Sequence, residues 1–378
     1  MRVLQLIKTT RGATWALRQV RVLRALGVEV HVALPDAKGL AAEYAAAGAQ
    51  VHVLATDIAH LLNPLSYVKA CAAFRRLVTE VAPDIIHSHF VGTTVFMRLV
   101  LGRSGPMRIF QVPGPLHLEN GLTRWVELAT ANSRDRWIAS CRFTRQVYLE
   151  AGIASAHVGL SYYGLDFNEF RPSGRTDLRA SLGLPEDAIV IGMVAYLYAP
   201  KRYLGQTRGL KGHEDLIDAV RLLHDAGRSC FAVFVGGAWA GADRYEKTVR
   251  DYARDRLGDR ALFLGNRQDV ADLYSTFDVA VHPSHSENLG GAVESLALGV
   301  PTVATDVGGF PDIVIPGQTG WLATARSPVE LARSISEALD NPLKARSYAI
   351  AGGERTRQLL DVETNAREVE RYYRLFLE

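Results

Sequence analysis

Glu287 and Glu294 bracket Asn288, Leu289, Gly290 and Gly291 within the run SHSENLGGAVESLALGVPTVATDVGG (284–309). The two glycines stand where a loop would open into the helix AVESLAL (292–298), and Gly299 and Pro301 end that helix and start a strand. A helix that starts on glycines leaves its first N–H groups bare and turns the positive end of its dipole outwards. It also lets a phosphate or sugar approach the backbone. This is the chemistry of diphosphate binding. A carboxylate nearby is a pure acceptor and can hold two neighbouring hydroxyls of a ribose or a hexose. Taken singly, Glu294 is also a first-turn acid that complements the dipole, and the glycines are also turn chemistry. On one strand–loop–helix–strand unit, with DVGG following, the combination favours a sugar-nucleotide site.

A departing nucleoside diphosphate develops negative charge that something must neutralise. Metal-dependent transferases often use an Asp-x-Asp pair, which occurs nowhere in this chain. A metal-free solution built on Arg and Lys is therefore expected, with no cofactor and the nucleotide sugar itself as substrate. The segment YAPKRYLGQTRGLKGHEDLI (198–217) supplies Lys201, Arg202, Arg208 and Lys211. Each of the four suits a phosphate, and Lys201 and Arg202 equally suit a solvated loop. In IFQVPGPLHLEN (109–120), His117 falls in the loop after a strand, where a histidine serves as a base or lies simply on the surface. His87 and His89 alternate on one strand end, so they face the same side. They lack a third ligand in sequence and read as cleft-lining or packed residues.

The elements that must carry these residues repeat a single pattern. VLQLI (3–7), VEVHVAL (28–34), VHVL (51–54) and IIHSH (85–89) are short apolar strands, with helices expected over 15–26, 38–47 and 65–80. After residue 188 the pattern restarts with IVIGMVA (189–195), CFAVFVGG (230–237), ALFLG (261–265), DVAVHP (278–283) and PTVAT (301–305). Strands separated by helices give a parallel sheet covered on both faces, which explains why they are apolar runs without alternation. Two Rossmann-like α/β domains result, with ligands beyond the carboxyl ends of the strands and the active site in a cleft between the sheets. The expected division is 1–168, 169–355 and a charged amphipathic helix, 356–378, returning to the first domain. YGLDFNEFRPSGRTDLRASLGLPEDA (163–188), rich in Gly, Pro and charge, reads as the linker.

Composition sets the outer limits. With 378 residues, 48% apolar and 22% charged, the chain suits two globular domains and excludes a disordered or fibrous protein. Its three cysteines are few and widely spaced, which suits a reducing cytoplasm. No apolar run is long enough to cross a membrane, and the opening MRVLQLIK is too short for a signal peptide. Residues 1–165 carry 18 basic against 10 acidic side chains, a balance of +8 that suits an anionic partner such as a lipid surface or simply an Arg-rich solvated face. Basic residues are dispersed and no aromatic–basic RNA motif is present, so no nucleic-acid partner is expected.

The run 284–309 resembles the donor-binding segment of the family-four retaining glycosyltransferases, two-Rossmann-domain enzymes of the GT-B fold. The likeness extends to GLDFNEFRP (164–172), to FLGNRQDVADLYSTFDVAVHPS (263–284) and to TDVGGFPDIVIPGQTGWLA (305–323). It implies that Glu294 holds the ribose, that Asn288, Leu289, Gly290 and Gly291 line sugar and phosphate, and that the turn Gly265–Arg267 meets the nucleobase, mainly through backbone groups. It implies a donor-site role for His117 and for Gly12 in the loop KTTRGATW (8–15), with Arg11 facing an anionic acceptor. Aligned back from Glu294, the family's first glutamate position falls on Ser286, and Glu287 comes one residue later. A loop one residue shorter, with Glu287 still reaching the sugar, is expected. Lys211-Gly212 fits the family's Lys-Gly, which implies that Lys211 meets the phosphate; the preceding Arg position falls on Gln206, Arg208 is the nearest cation and its implied companion, and 197–210 looks like an insertion.

The resemblance implies a retaining, metal-independent transferase that moves a sugar from a nucleoside diphosphate, UDP in preference to GDP, to a glycan or lipid-linked acceptor in surface polysaccharide synthesis. It also suggests a cytoplasmic protein with a peripheral contact at an anionic inner-leaflet membrane. Two alternatives share the fold: a nucleotide-sugar 2-epimerase, and a catalytically idle sugar-nucleotide-binding protein.

Overall fold

The structure, a computed structural model, describes residues 1–168, 170–174 and 177–378, with Leu204 described by its backbone alone. Glu169, Arg175 and Thr176, within the stretch read as a linker and overlapping the resemblance at 164–172, lie outside the described residues. The chain divides into two compact units, Met1–Asp166 with Leu359–Glu378, and Phe167–Gln358.

The first unit is built on β1 (Arg2–Leu6), β2 (Glu29–Leu34), β3 (Gln50–Val53), β4 (Ile85–Ser88), β5 (Met107–Val112), β6 (Asp135–Ala139) and β7 (Val158–Leu160). They form one sheet in the order β3-β2-β1-β4-β5-β6-β7, with every pairing parallel. The second unit holds β8 (Ile189–Val194), β9 (Cys230–Val235), β10 (Ala261–Phe263), β11 (Val279–His282), β12 (Thr302–Thr305) and β13 (Trp321–Ala323). Its order is β10-β9-β8-β11-β12-β13, again all parallel. In each sheet the order reverses once, between β1 and β4 and between β8 and β11. The crevice beyond the carboxyl ends of such a strand pair is where ligands bind in doubly wound folds.

Both sheets are apolar on both faces, and alternate residues of a strand serve opposite cores. In β1, Val3 packs with Leu17, Val20 and Leu23 of the helix Thr14–Ala25, whereas Leu4 packs with Phe74 and Phe96. In β8, Ile191 joins Leu216, Val220 and Ile335, whereas Val190 joins Leu178, Leu184 and Phe277. The helix Pro64–Val81 shows the local rules plainly. Asn63 accepts the N–H groups of Leu65 and Ser66 at 3.1 and 3.2 Å, Pro64 opens the first turn, and Ala82 ends it in the left-handed region.

Three expectations need correction. The helix expected over 38–47 is shorter, Ala41–Ala46, because Asp36 accepts the N–H of Lys38 at 2.8 Å and the hydroxyl of Thr10 at 3.1 Å and so holds a turn there. The linker is also shorter, since Leu178 and Leu184 are buried in the second unit's core and the short helix Leu178–Ser181 belongs to it. The stretch after 355 is not one helix. It breaks at Asp361, whose carboxylate caps the N–H of Thr364 at 2.8 Å and starts a new helix, Val362–Leu377. That last helix places Val369, Tyr373 and Phe376 in the core of the first unit. Among the described residues no helix is long and apolar enough to cross a membrane, and none of the three cysteines is in a disulfide.

Candidate functional site

At the switch point of the second sheet, β11 leaves through Pro283 into the loop 284–291 and the helix Ala292–Ala297. Two neighbours brace this loop. The Thr305 hydroxyl, at the end of β12, donates to the Ser284 carbonyl at 2.6 Å, and the Gly309 N–H donates to the Glu287 carbonyl at 3.3 Å. The DVGG run thus packs the loop in place. Gly290 has φ of +43°, and a Cβ there would lie 2.8 Å from the Glu287 carboxyl carbon. Only glycine lets that carboxylate fold so close. Glu294 stands in the first turn of the helix, with Oε2 3.4 Å from the hydroxyl of buried Tyr274, which also donates to the Gly291 carbonyl at 3.2 Å.

The opposite wall comes from the segment after β8. The helix His213–Asp225 begins at Gly212, which has φ of +74°, and a Cβ there would lie 2.0 Å from the Pro283 carbonyl oxygen. This approach sets Lys211 against the glutamate loop, where its ammonium pairs with Glu287 Oε2. The same ammonium lies 5.8 Å from the ring centre of Tyr198. Glu287 Oε1 accepts the Asn288 N–H at 3.0 Å, and the Ser284 hydroxyl lies 3.4 Å from Oε2. Asn288 Oδ1 is buried and has no partner among the described residues, which leaves an acceptor for a hydroxyl or N–H from outside.

Arg208 does not join Lys211 there. Its guanidinium is held by Asp215 and Asp218, at 2.6 Å each, and the second oxygen of Asp215 pairs with His285. Two carboxylates on one helix hold this cation. Arg208 therefore ties the inserted segment to the helix and, through Asp215 and His285, to the glutamate loop. Arg267 is similarly engaged, bidentate to Asp269 at 2.8 and 2.6 Å, so the turn at Gly265–Arg267 presents backbone. Sequence reading missed Tyr198, Tyr274, Asp215 and His285. Only the HED run after Lys211-Gly212 hinted at a charged partner set.

In the first unit, Gly12 has φ of +72° and lies between β1 and the helix Thr14–Ala25, with Arg11 exposed beside it. His117 lies beyond β5 on the short helix Leu116–Glu119, its ring 5.5 Å from that of Phe110. Burial pushes its pKa down to about 4, against a backbone hydrogen bond at Gly114 and aided by Arg98. Its Nε2 is buried and without a partner among the described residues. A neutral imidazole with one open nitrogen suits a hydroxyl group. His87 and His89 stack at 4.3 Å and are packed in a polar core. His89 reaches Gln5 at 2.6 Å and Tyr163 at 2.8 Å, and His87 reaches Tyr373 at 2.5 Å. Among the described residues no group of three His, Cys, Asp or Glu side chains is arranged to hold a metal ion.

Residues 12–169 match the Glycosyltransferase Family 4 domain, and residues 175–356 match Glycosyl transferases group 1. The chain belongs to the group 1/family 4 glycosyltransferases. The chain is 33% identical over 205 residues to D-inositol 3-phosphate glycosyltransferase of Streptomyces scabiei (strain 87.22), which is 51% of the chain and 44% of that protein. It is 27% identical over 216 residues to the lipopolysaccharide core biosynthesis mannosyltransferase LpsB of Rhizobium meliloti (strain 1021), 56% of the chain and 59% of that protein. The chain spans about half the length of the curated relatives it matches. Among solved structures, Anabaena Alr3699/HepE in complex with UDP-glucose superposes with a TM-score of 0.80 at 22% identity, covering 98% of both chains. The fold is GT-B.

Proposed function

We propose that the protein is a retaining glycosyltransferase that moves a sugar from a nucleoside diphosphate, UDP in preference to GDP, to a glycan or lipid-linked acceptor without a metal ion. One observation carries the reading: Lys211 and Glu287 meet at the switch point of the second sheet, beside the helix start that carries Glu294. A diphosphate seated on the N–H groups at 290–292 has Lys211 as counter-ion, and Glu294 accepts from the ribose hydroxyls. Asn288 and Glu287 supply acceptors for sugar hydroxyls. In the retaining course, the acceptor hydroxyl attacks the anomeric carbon on the face the diphosphate leaves. The departing phosphate oxygen takes the proton, while Lys211 and the helix start stabilise its charge. No side chain need act as base, in keeping with a His117 whose basicity burial lowers.

UDP is favoured because one solved structure of the same fold, Anabaena Alr3699/HepE, is in complex with UDP-glucose. A lipid-linked acceptor is supported by the ridge at Leu62, Leu65 and Val68, which are 91, 76 and 65% exposed. Residues 58–79 around it contain no acid and three cations, Lys69, Arg75 and Arg76. Such a face suits the cytoplasmic surface of an anionic membrane, and a surface-polysaccharide role accords with the likeness to LpsB. The test is a thermal-shift titration with UDP, GDP, ADP and their sugar conjugates. A concentration-dependent rise in melting temperature with one nucleotide is expected; no rise with any at millimolar concentration removes the donor site.

A further inference from the structure

Strand β8 leaves its sheet through Tyr196, Leu197 and Tyr198, and β9 leaves through Gly236 to Trp239. The two exits are laced together: the Leu197 N–H donates to the Gly237 carbonyl and the Trp239 N–H to the Leu197 carbonyl, both at 3.0 Å. The Trp239 ring lies 4.9 Å from Tyr196 and 5.7 Å from Tyr198. Tyr198 in turn carries the Lys211 ammonium, paired with Glu287, over its ring. On the other side, the Gly236 N–H donates to the Gly265 carbonyl at 2.8 Å and the Gly237 N–H to Asn266 Oδ1 at 2.9 Å. The three rings therefore stand on a path of ring contacts and backbone hydrogen bonds from the Lys211–Glu287 pair to the turn at 265–267. Tyr196 is 42% exposed, a large ring left in water although a second ring and a backbone lattice fix it in place.

We propose that Tyr196 and Trp239 form the stacking wall for the nucleobase of the donor, a specificity element for a planar aromatic ring. This rests on the donor-site reading above. A base offers an edge and two faces. The turn at 265–267 has backbone groups for the edge, since Arg267 is tied to Asp269, but it offers no face. The adjoining rings supply one, and stacking needs no hydrogen-bond code and tolerates more than one base. Tyr198, under Lys211, bounds the wall at its phosphate end.

The experiment is calorimetric titration of the full chain with whichever of UDP, GDP and ADP the wild type binds, and separately with inorganic pyrophosphate, which has no base. Tyr196→Ala and Trp239→Ala are expected to weaken the nucleotide about 5- to 150-fold, Trp239→Phe to retain most of the affinity, and pyrophosphate to bind all variants alike. Unchanged pyrophosphate affinity also certifies that each variant is folded. Nucleotide affinity unchanged in both alanine variants overturns the proposal. So does a parallel loss of pyrophosphate, which would assign the rings to the phosphate end. A loss confined to the nucleotide sugar, with the plain nucleotide unaffected, puts them against the sugar and overturns it as well. A wild type that binds pyrophosphate but no nucleotide defeats the base wall alone; one that binds neither defeats the donor site itself.

Discussion

Lys211 and Glu287 are each other's counter-ion, reaching across the switch point from the exits of β8 and β11. A diphosphate entering there has to share the ammonium with the carboxylate. Lys211→Ala leaves Glu287 uncompensated and facing an anion, so UDP affinity is expected to fall more than tenfold. Lys211→Ala/Glu287→Gln should recover part of that loss, because the repulsion disappears with the charge. Calorimetry on the four proteins measures the coupling. A double variant no tighter than Lys211→Ala would separate the carboxylate from the phosphate.

Glu294→Ala removes a charged acceptor from the ribose hydroxyls and should weaken UDP by about 1–3 kcal/mol. Pyrophosphate, which has no ribose, should bind as before. An equal loss for both ligands would mean that Glu294 acts by shaping the helix start.

Gly212→Ala sets a Cβ 2.0 Å from the Pro283 carbonyl at a φ of +74°. The left-handed backbone alone costs about 1–3 kcal/mol for a residue with a side chain, and relieving the clash has to move Lys211 away from the glutamate loop. Lower melting temperature and lower UDP affinity together are expected. A variant that melts lower but binds UDP normally would uncouple Gly212 from the position of Lys211.

Stability should fall on mild acidification. Burial lowers the pKa of His89, His213 and His282 to about 3 and that of His117 to about 4. Each is neutral in the fold and takes a proton below about pH 6.5 once unfolded. The unfolded chain thus binds more protons than the native one, and stability is lost as pH drops from about 6.5 towards the folded values. The melting temperature should decline steadily from pH 7 to pH 5; a flat profile would mean that these imidazoles are hydrated.

On the proposed mechanism, in which Lys211 and the helix start carry the leaving-group charge, transfer activity should survive EDTA. Complete loss that a divalent cation restores would overturn that assignment.

The sequence carried the fold because both sheets are buried on both faces, so their strands announce themselves as apolar runs such as VLQLI and IVIGMVA. Boundaries slipped where a side chain intervened. Asp361 starts a helix inside what reads as one amphipathic stretch, and Asp36 consumes the first turn expected at 38–40. At the site, the placement of Glu294 and the glycines was legible because it depends only on position along one helix start. The fate of Arg208 was not, because it depends on Asp215 and Asp218, whose approach is set by how the inserted segment folds back. Local spacing finds a cation; only the fold says which anion owns it.

The helix Val362–Leu377 completes the core of the first unit with the last residues of the chain. Translation runs from the other end. Residues 1–166 emerge with a gap where Val369, Tyr373 and Phe376 belong, and the whole second unit is made before that gap is filled. The unit synthesised first is therefore the unit finished last, and a ribosome that stalls short of residue 362 releases a first sheet with an open apolar flank.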